Sequence, residues 1–160
     1  MSETKITGAA DALDVLKSVP DIRSRALLVL LSLTSMVAPV ASAGTFGLNG
    51  SLSLTDMAGS LTYLVPVAAI AVLAAPVAAF AKPYVRLLDL ATGVIAAIVA
   101  AILLYNFLSV FSELSQSIGG VRFSSVASFS PSWGVVVFAG FVWLAIQRAM
   151  KALKSKPVTH

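Results

Sequence analysis

Leu87 to Phe111 reads LLDLATGVIAAIVAAILLYNFLSVF, twenty-five residues whose single charge, Asp89, lies at the start. As a helix rising 1.5 Å per residue it measures about 37 Å. That exceeds the ~30 Å hydrocarbon core of a bilayer, so it is expected to span with tilt or to protrude. The basic connection Lys82-Pro83-Tyr84-Val85-Arg86 precedes it. Three further apolar stretches are read outward from it, at 26–43, 61–81 and 133–150. The last is short unless Gln147, Ala149 and Met150 extend it while Arg148 snorkels. The whole chain is 58% hydrophobic and 11% charged, with a mean hydropathy of +0.94. A soluble domain carries roughly 45–50% apolar and about 25% charged residues. So much apolar surface cannot be hidden in a soluble protein of this size, and the bilayer is expected to be its solvent.

Charge then sets the orientation. Of eleven Lys and Arg, ten lie before the first stretch, in the Lys82 connection or around the C-terminal tail. Arg122 alone falls in the other set of loops. Basic flanks favour the cytoplasmic side. Both termini are then cytoplasmic, which requires an even number of spans. The expected fold is an all-α integral membrane protein, a four-transmembrane-helix bundle with N-in/C-in topology. Residues 1–22 form a polar, amphipathic cytoplasmic segment, 23–150 the membrane domain and 151–160 a basic cytoplasmic tail. The expected location is the bacterial inner membrane.

The outer loops are 44–60 and 112–132. In the first, Thr45 to Leu54 alternates around Asn49-Gly50, a pair that favours a type I′ turn. A small β-hairpin is expected there, with Phe46, Leu48, Leu52 and Leu54 on one face. The run Val121 to Phe129 is expected to add a strand to it. Pro66 and Pro76 lie inside the second span, where each frees a carbonyl and favours a kink. Ala71, Ala75 and Ala79 form a small-residue stripe on that span, and Gly93, Ala97 and Ala101 one on the next. A short turn joins the two helices, so the stripes are expected to face each other. Ala41-Ser42-Ala43 matches the A-x-A form of a signal-peptidase site. Cleavage there leaves three spans and an outer N-terminus.

The chain has no cysteine, and its one histidine is His160. That inventory excludes disulfides, zinc-thiolate and iron-sulfur chemistry, paired-histidine haem and a histidine triad. No phosphate loop, nucleophile elbow or metal-spaced acid cluster is present, and no cofactor is expected. The few charges flank apolar spans, so they suit anionic headgroups rather than nucleic acid. The candidate intramembrane polar residues are Arg86, Asp89 and Asn106, with Arg86 and Asp89 spaced to pair at i, i+3. Ser32, Thr34 and Ser35 are expected to bond across helices or to their own backbone. The candidate outer contacts are Phe46, Leu48, Asp56, Arg122 and Phe123. Asp56 is placed to cap the second span.

Two outer loops with β character on four spans resemble the claudin-type tetraspan layout. The first loop lacks that family's Trp, Gly-Leu-Trp and paired-Cys signature, so the resemblance is one of topology and implies no paracellular role. The expected function is non-enzymatic: an accessory, scaffold or assembly subunit contacting other membrane or periplasmic proteins, lipid, or copies of itself. The alternatives are a small homo-oligomeric transport or pore-forming (holin-like) protein and a leader-processed pilin-like subunit.

Overall fold

The computed structural model describes residues 21–45, 48–78, 81–115, 117–118, 121–122 and 127–154. They are mostly helical, with a small three-stranded sheet. The expected amphipathic segment before residue 21 and the tail beyond residue 154 lie outside the described residues.

The first span becomes helix α1 (Ile22–Val37). It ends six residues before the expected boundary because of Pro39. A proline disfavours helical backbone at the preceding residue, and Ala38 is extended at φ −73°, ψ 133°. The chain continues as strand β1 (Ala41–Thr45) and returns as β2 (Leu48–Leu52). The hairpin exists, but its turn is not at Asn49-Gly50. Thr45 pairs with Leu48, and Asn49 and Gly50 pair with Gly44 and Ala43 inside the ladder. This register lets β1 also pair along its length with a later strand, Ala127–Pro131. Ala41-Ser42-Ala43 therefore lies in the central strand, hydrogen-bonded on both sides.

Ser53 starts a short helix, α2 (Leu54–Ala58), which Gly59 at φ 74° ends. A 3-10 turn (Ser60–Tyr63) leads into α3 (Leu64–Ala74). The prolines bound this helix instead of kinking it. Pro66 sits in the first turn, where an N–H has no intrahelical partner to lose. Pro76 follows the C-terminal end, as prolines commonly do. The expected 61–81 span thus shortens to an apolar helical segment, Ser60–Ala74.

Pro83 lies in the 3-10 turn Lys82–Tyr84, which opens α4 (Val85–Ser115). Two short strands, β3 (Ser117–Ile118) and β4 (Val121–Arg122), pair antiparallel. Strand β5 (Ala127–Pro131) joins the hairpin in the order β2-β1-β5. Last comes α5 (Trp133–Lys154). Among the described residues two helices, Lys82–Ser115 and Trp133–Lys154, are long and apolar enough to cross a membrane, not the four expected. With 16 residues in α1 and 11 in α3, those two helices reach only about 24 and 17 Å.

The four longer helices form a closed ring: α1 packs on α3 and α5, and α4 packs on the same two. Each buries a stripe with alternating spacing of three and four, the seam of a left-handed bundle. The stripe is Arg25, Leu28, Ser32 and Ser35 in α1, and Val65, Ala69 and Val72 in α3. In α4 it is Asp89, Thr92/Gly93, Ala96, Val99 and Leu103. In α5 it is Gly134, Phe138, Phe141, Ala145, Arg148 and Ala152.

Two glycines permit close approach. A Cβ on Gly93 would lie 2.6 Å from the Ala149 Cβ, where α4 meets α5. A Cβ on Gly134 would lie 2.4 Å from the Pro39 carbonyl oxygen, which accepts the Gly134 N–H at 3.0 Å. The expected pairing of small-residue stripes does not form. Gly93 faces α5 rather than α3, while Ala97 and Ala101 are exposed. A strict four-residue repeat drifts around a helix of 3.6 residues per turn, and the three-four stripe takes the buried face instead. Ala75 is buried, Ala71 is half-buried, and Ala79 lies outside the described residues.

Candidate functional site

The three stripes of α1, α4 and α5 each carry one charge at the same end of the bundle, and the three charges meet. Arg148 holds Asp89 with two bonds, donating from Nε to Oδ1 at 3.0 Å and from Nη2 to Oδ2 at 3.3 Å. Arg25 Nη2 lies 3.6 Å from Asp89 Oδ2. The side chains are 7% exposed for each arginine and 11% for the carboxylate. Arg148 Nη1 also donates to Ser24 Oγ at 2.5 Å, and Ser24 Oγ donates to the Asp21 carbonyl at 3.0 Å.

The fourth helix joins through its proline. Pro76 has no N–H to give the carbonyl four residues earlier, that of Val72. Arg25 Nη1 donates to that Val72 carbonyl. Asp21 just before α1, Ser24 and Arg25 from α1, Val72 from α3, Asp89 from α4 and Arg148 from α5 thus form one polar knot. Two guanidiniums share the Asp89 carboxylate, and the charge of Asp21 also acts on Arg25. Arg25 Nε is buried without a hydrogen-bond partner.

The residues expected to act together at 86, 89 and 106 are separated. Asp89 turns inward to Arg148 and Arg25 instead of pairing with Arg86, which forms no ion pair among the described residues. Residue 89 is buried between the helices, whereas residue 86, nearer the helix end, is only half-buried. Asn106 is seventeen residues along α4 from Asp89, about 26 Å of helix. There its Nδ2 donates to the Met57 carbonyl and ties α4 to α2. Arg148, expected to snorkel, is buried in the knot.

A visible signal for both missed arginines was periodicity. Arg148 follows Phe141 by seven and Ala145 by three. Arg25 precedes Leu28 by three and Ser32 by seven. The other buried polar side chains turn back to helix backbone. Ser32 donates to the Val29 carbonyl, Ser35 to Ser32, Thr62 to Gly59 and Thr92 to Leu88.

At the opposite end, Asp56 caps α2 rather than the second span. Its Oδ2 accepts from the Ser53 N–H at 2.8 Å and from the Ser53 hydroxyl at 2.7 Å, and the Ser53 hydroxyl receives the Asp56 N–H at 3.2 Å. These bonds hold the carboxyl below its ordinary pKa. Leu48 lies in β2 and Arg122 in β4; Phe46 and Phe123 lie outside the described residues. Phe129 of β5 packs on Phe107 and Phe111 of α4, with ring centres 5.2 and 5.5 Å away. An apolar cavity of about 540 Å³ lies between α4 and α5 at this end, bordered by Phe107, Phe111 and Trp143 among others.

No group of three or more His, Cys, Asp or Glu side chains able to hold a metal occurs among the described residues. Chemically, the knot holds four helices together. No protein family, characterised protein or solved structure matches this chain.

Proposed function

We propose that this protein is a non-enzymatic scaffold of the bacterial inner membrane, with four membrane-embedded helices and both termini cytoplasmic. The observation that carries the reading is an inside-out distribution of polarity. Arg25, Ser32, Ser35, Thr62, Asp89, Thr92 and Arg148 are buried, while large apolar side chains on all four helices point outward. Val37 is 81% exposed, Val136 74%, Leu104 61% and Val67 63%. Such a surface is stable against lipid and not against water.

The shortness of α1 is compatible with spanning. Irregular backbone at membrane depth is tolerated where protein satisfies it. Beyond Pro39, the Val40 N–H donates to Leu52 at 2.8 Å, and the Val40 carbonyl accepts from Ser132 at 2.9 Å. Val40, Ala41 and Leu54 are fully buried. The sheet and α2 thus cap the bundle and extend the apolar column. Helix α1 is bound into the ring through Arg25, which favours an uncleaved first span over a processed leader.

A scaffold role, rather than a conduit, is supported by the use of the buried polar groups. Among the described residues they bond to each other or to backbone rather than lining a polar lane along the bundle. Purification from native membranes in mild detergent tests the role. A stoichiometric partner and no ion leak from reconstituted liposomes are expected. A lone monomer, or liposomes that release a small dye, would overturn it.

A further inference from the structure

The end of the bundle that holds the knot is strongly basic. Among the described residues Arg23, Arg25, Lys82, Arg86, Arg148, Lys151 and Lys154 lie there, against Asp21 and Asp89 alone. Five positive charges are left. The described acids of the other end are Asp56 and Glu113. The excess is focused where the first turns of α4 meet the last turns of α5, two helices brought close by Gly93 against Ala149. Lys82, Lys151 and Lys154 are exposed there, Arg86 is half-buried, and Tyr84 and Leu153 present exposed apolar surface beside them. Behind this rim two buried guanidiniums, Arg25 and Arg148, share the Asp89 carboxylate, and the charge of Asp21 also acts on Arg25. Clustered like charges at the rim raise the local surface potential.

We infer that this α4–α5 edge is a binding site for the phosphate of anionic phospholipids of the inner leaflet. Lys82, Arg86, Lys151 and Lys154 meet the headgroup, and Tyr84 and Leu153 meet the upper acyl chain. The inference rests on the membrane reading and adds the lipid class and the place. Charge complementarity selects the occupant: a cationic rim bordered by apolar side chains matches an anion attached to a hydrocarbon chain, and each basic residue near such a surface strengthens the attraction.

The test is a lipid titration of the purified full chain in neutral detergent, followed by thermal unfolding and native mass spectrometry. Phosphatidylglycerol should bind and raise the melting temperature. Phosphatidylcholine with the same acyl chains, and inorganic phosphate, should do neither. The quadruple variant K82Q/R86Q/K151Q/K154Q should lose at least about tenfold in phosphatidylglycerol affinity. If that variant does not fold, the wild type in roughly 1 M salt, where the Debye length falls to about 3 Å, replaces it and should lose the preference. Equal binding of the two lipids, or a preference that survives both neutralisation and salt, overturns the site. Binding of phosphate alone shows an anion site without lipid recognition and also overturns it. Binding of both lipids with no preference leaves the membrane reading standing, whereas a chain that stays folded and soluble once the detergent is removed takes that reading away.

Discussion

Replacing Asp89 by Asn preserves the shape of the side chain and removes the carboxylate that both guanidiniums share. Two buried guanidiniums, at 3.0 and 3.6 Å from the lost charge, then face each other with only the weaker attraction of Asp21 on Arg25 to offset them. Removing one partner of a buried ion pair costs about 3–5 kcal/mol. Two orphaned cations push toward the upper end. The 11% exposure of the carboxylate and the position of the knot near the helix ends push toward the lower. We expect a loss of about 3 kcal/mol, or a melting temperature lowered by roughly 6–12 °C for a chain of this size. Arg148→Gln should cost less, because Arg25 and Asp89 remain as a balanced pair. The double variant should cost less than the sum of the two singles, since the sites are in contact. The assay is reversible thermal unfolding in mild detergent, followed by the fluorescence of Trp133 and Trp143. Asp89→Asn melting within about 1–2 °C of the wild type, or Arg148→Gln proving the more damaging, would refute the reasoning.

Gly134→Ala places a methyl group against the Pro39 backbone, and the loss of 1–3 kcal/mol or more typical of overpacking should appear as a lower melting temperature. Phe141 is fully buried and stacks on Phe138 at 6.0 Å; Phe141→Ala should cost about 3–5 kcal/mol in the same assay. Asp56 has a depressed pKa, so its contribution is present above the unfolded value of about 3.9 and is lost as pH falls through the folded one. Melting temperatures of wild type and Ser53→Ala should therefore differ more at about pH 6 than at about pH 2, the remaining difference at low pH being the lost hydroxyl cap on the Asp56 N–H; a difference that does not change with pH would show that the carboxylate is not involved.

The sequence made the apolar segments and the charge asymmetry legible, because both depend on composition along the chain. It also made the hairpin legible in outline, though not its register; the third strand is Ala127–Pro131 rather than the whole run Val121 to Phe129, whose first residues pair with Ser117–Ile118 instead. Asn49-Gly50 is a strong local turn signal, yet β1 gains a ladder on each side only if those residues lie within β2. Local preference yielded to long-range pairing. Hydropathy averages over Pro39, so the apolar stretch continues past it, whereas the backbone geometry that the proline imposes ends the helix there. The site was half legible. Asp89 stood out as the acid inside a span, but its nearest basic residue in sequence, Arg86, was the wrong partner. Arg25 and Arg148 come from helices 64 and 59 positions away. Only the three-four stripe, followed through charged positions as well as apolar ones, places them beside Asp89. The link between Pro76 and Arg25 needed the fold, since it joins a carbonyl freed on one helix to a guanidinium on another.

The most direct test of the four-span account uses the absence of native cysteine. Single cysteines at Ser51, Glu113, Lys82 and Lys154 are probed in intact cells, freed of the outer membrane, with a membrane-impermeant maleimide. The account predicts labelling at residues 51 and 113 before the inner membrane is permeabilised, and at 82 and 154 only afterwards. Labelling of all four from the same side, or of 82 and 113 together in intact cells, would contradict it.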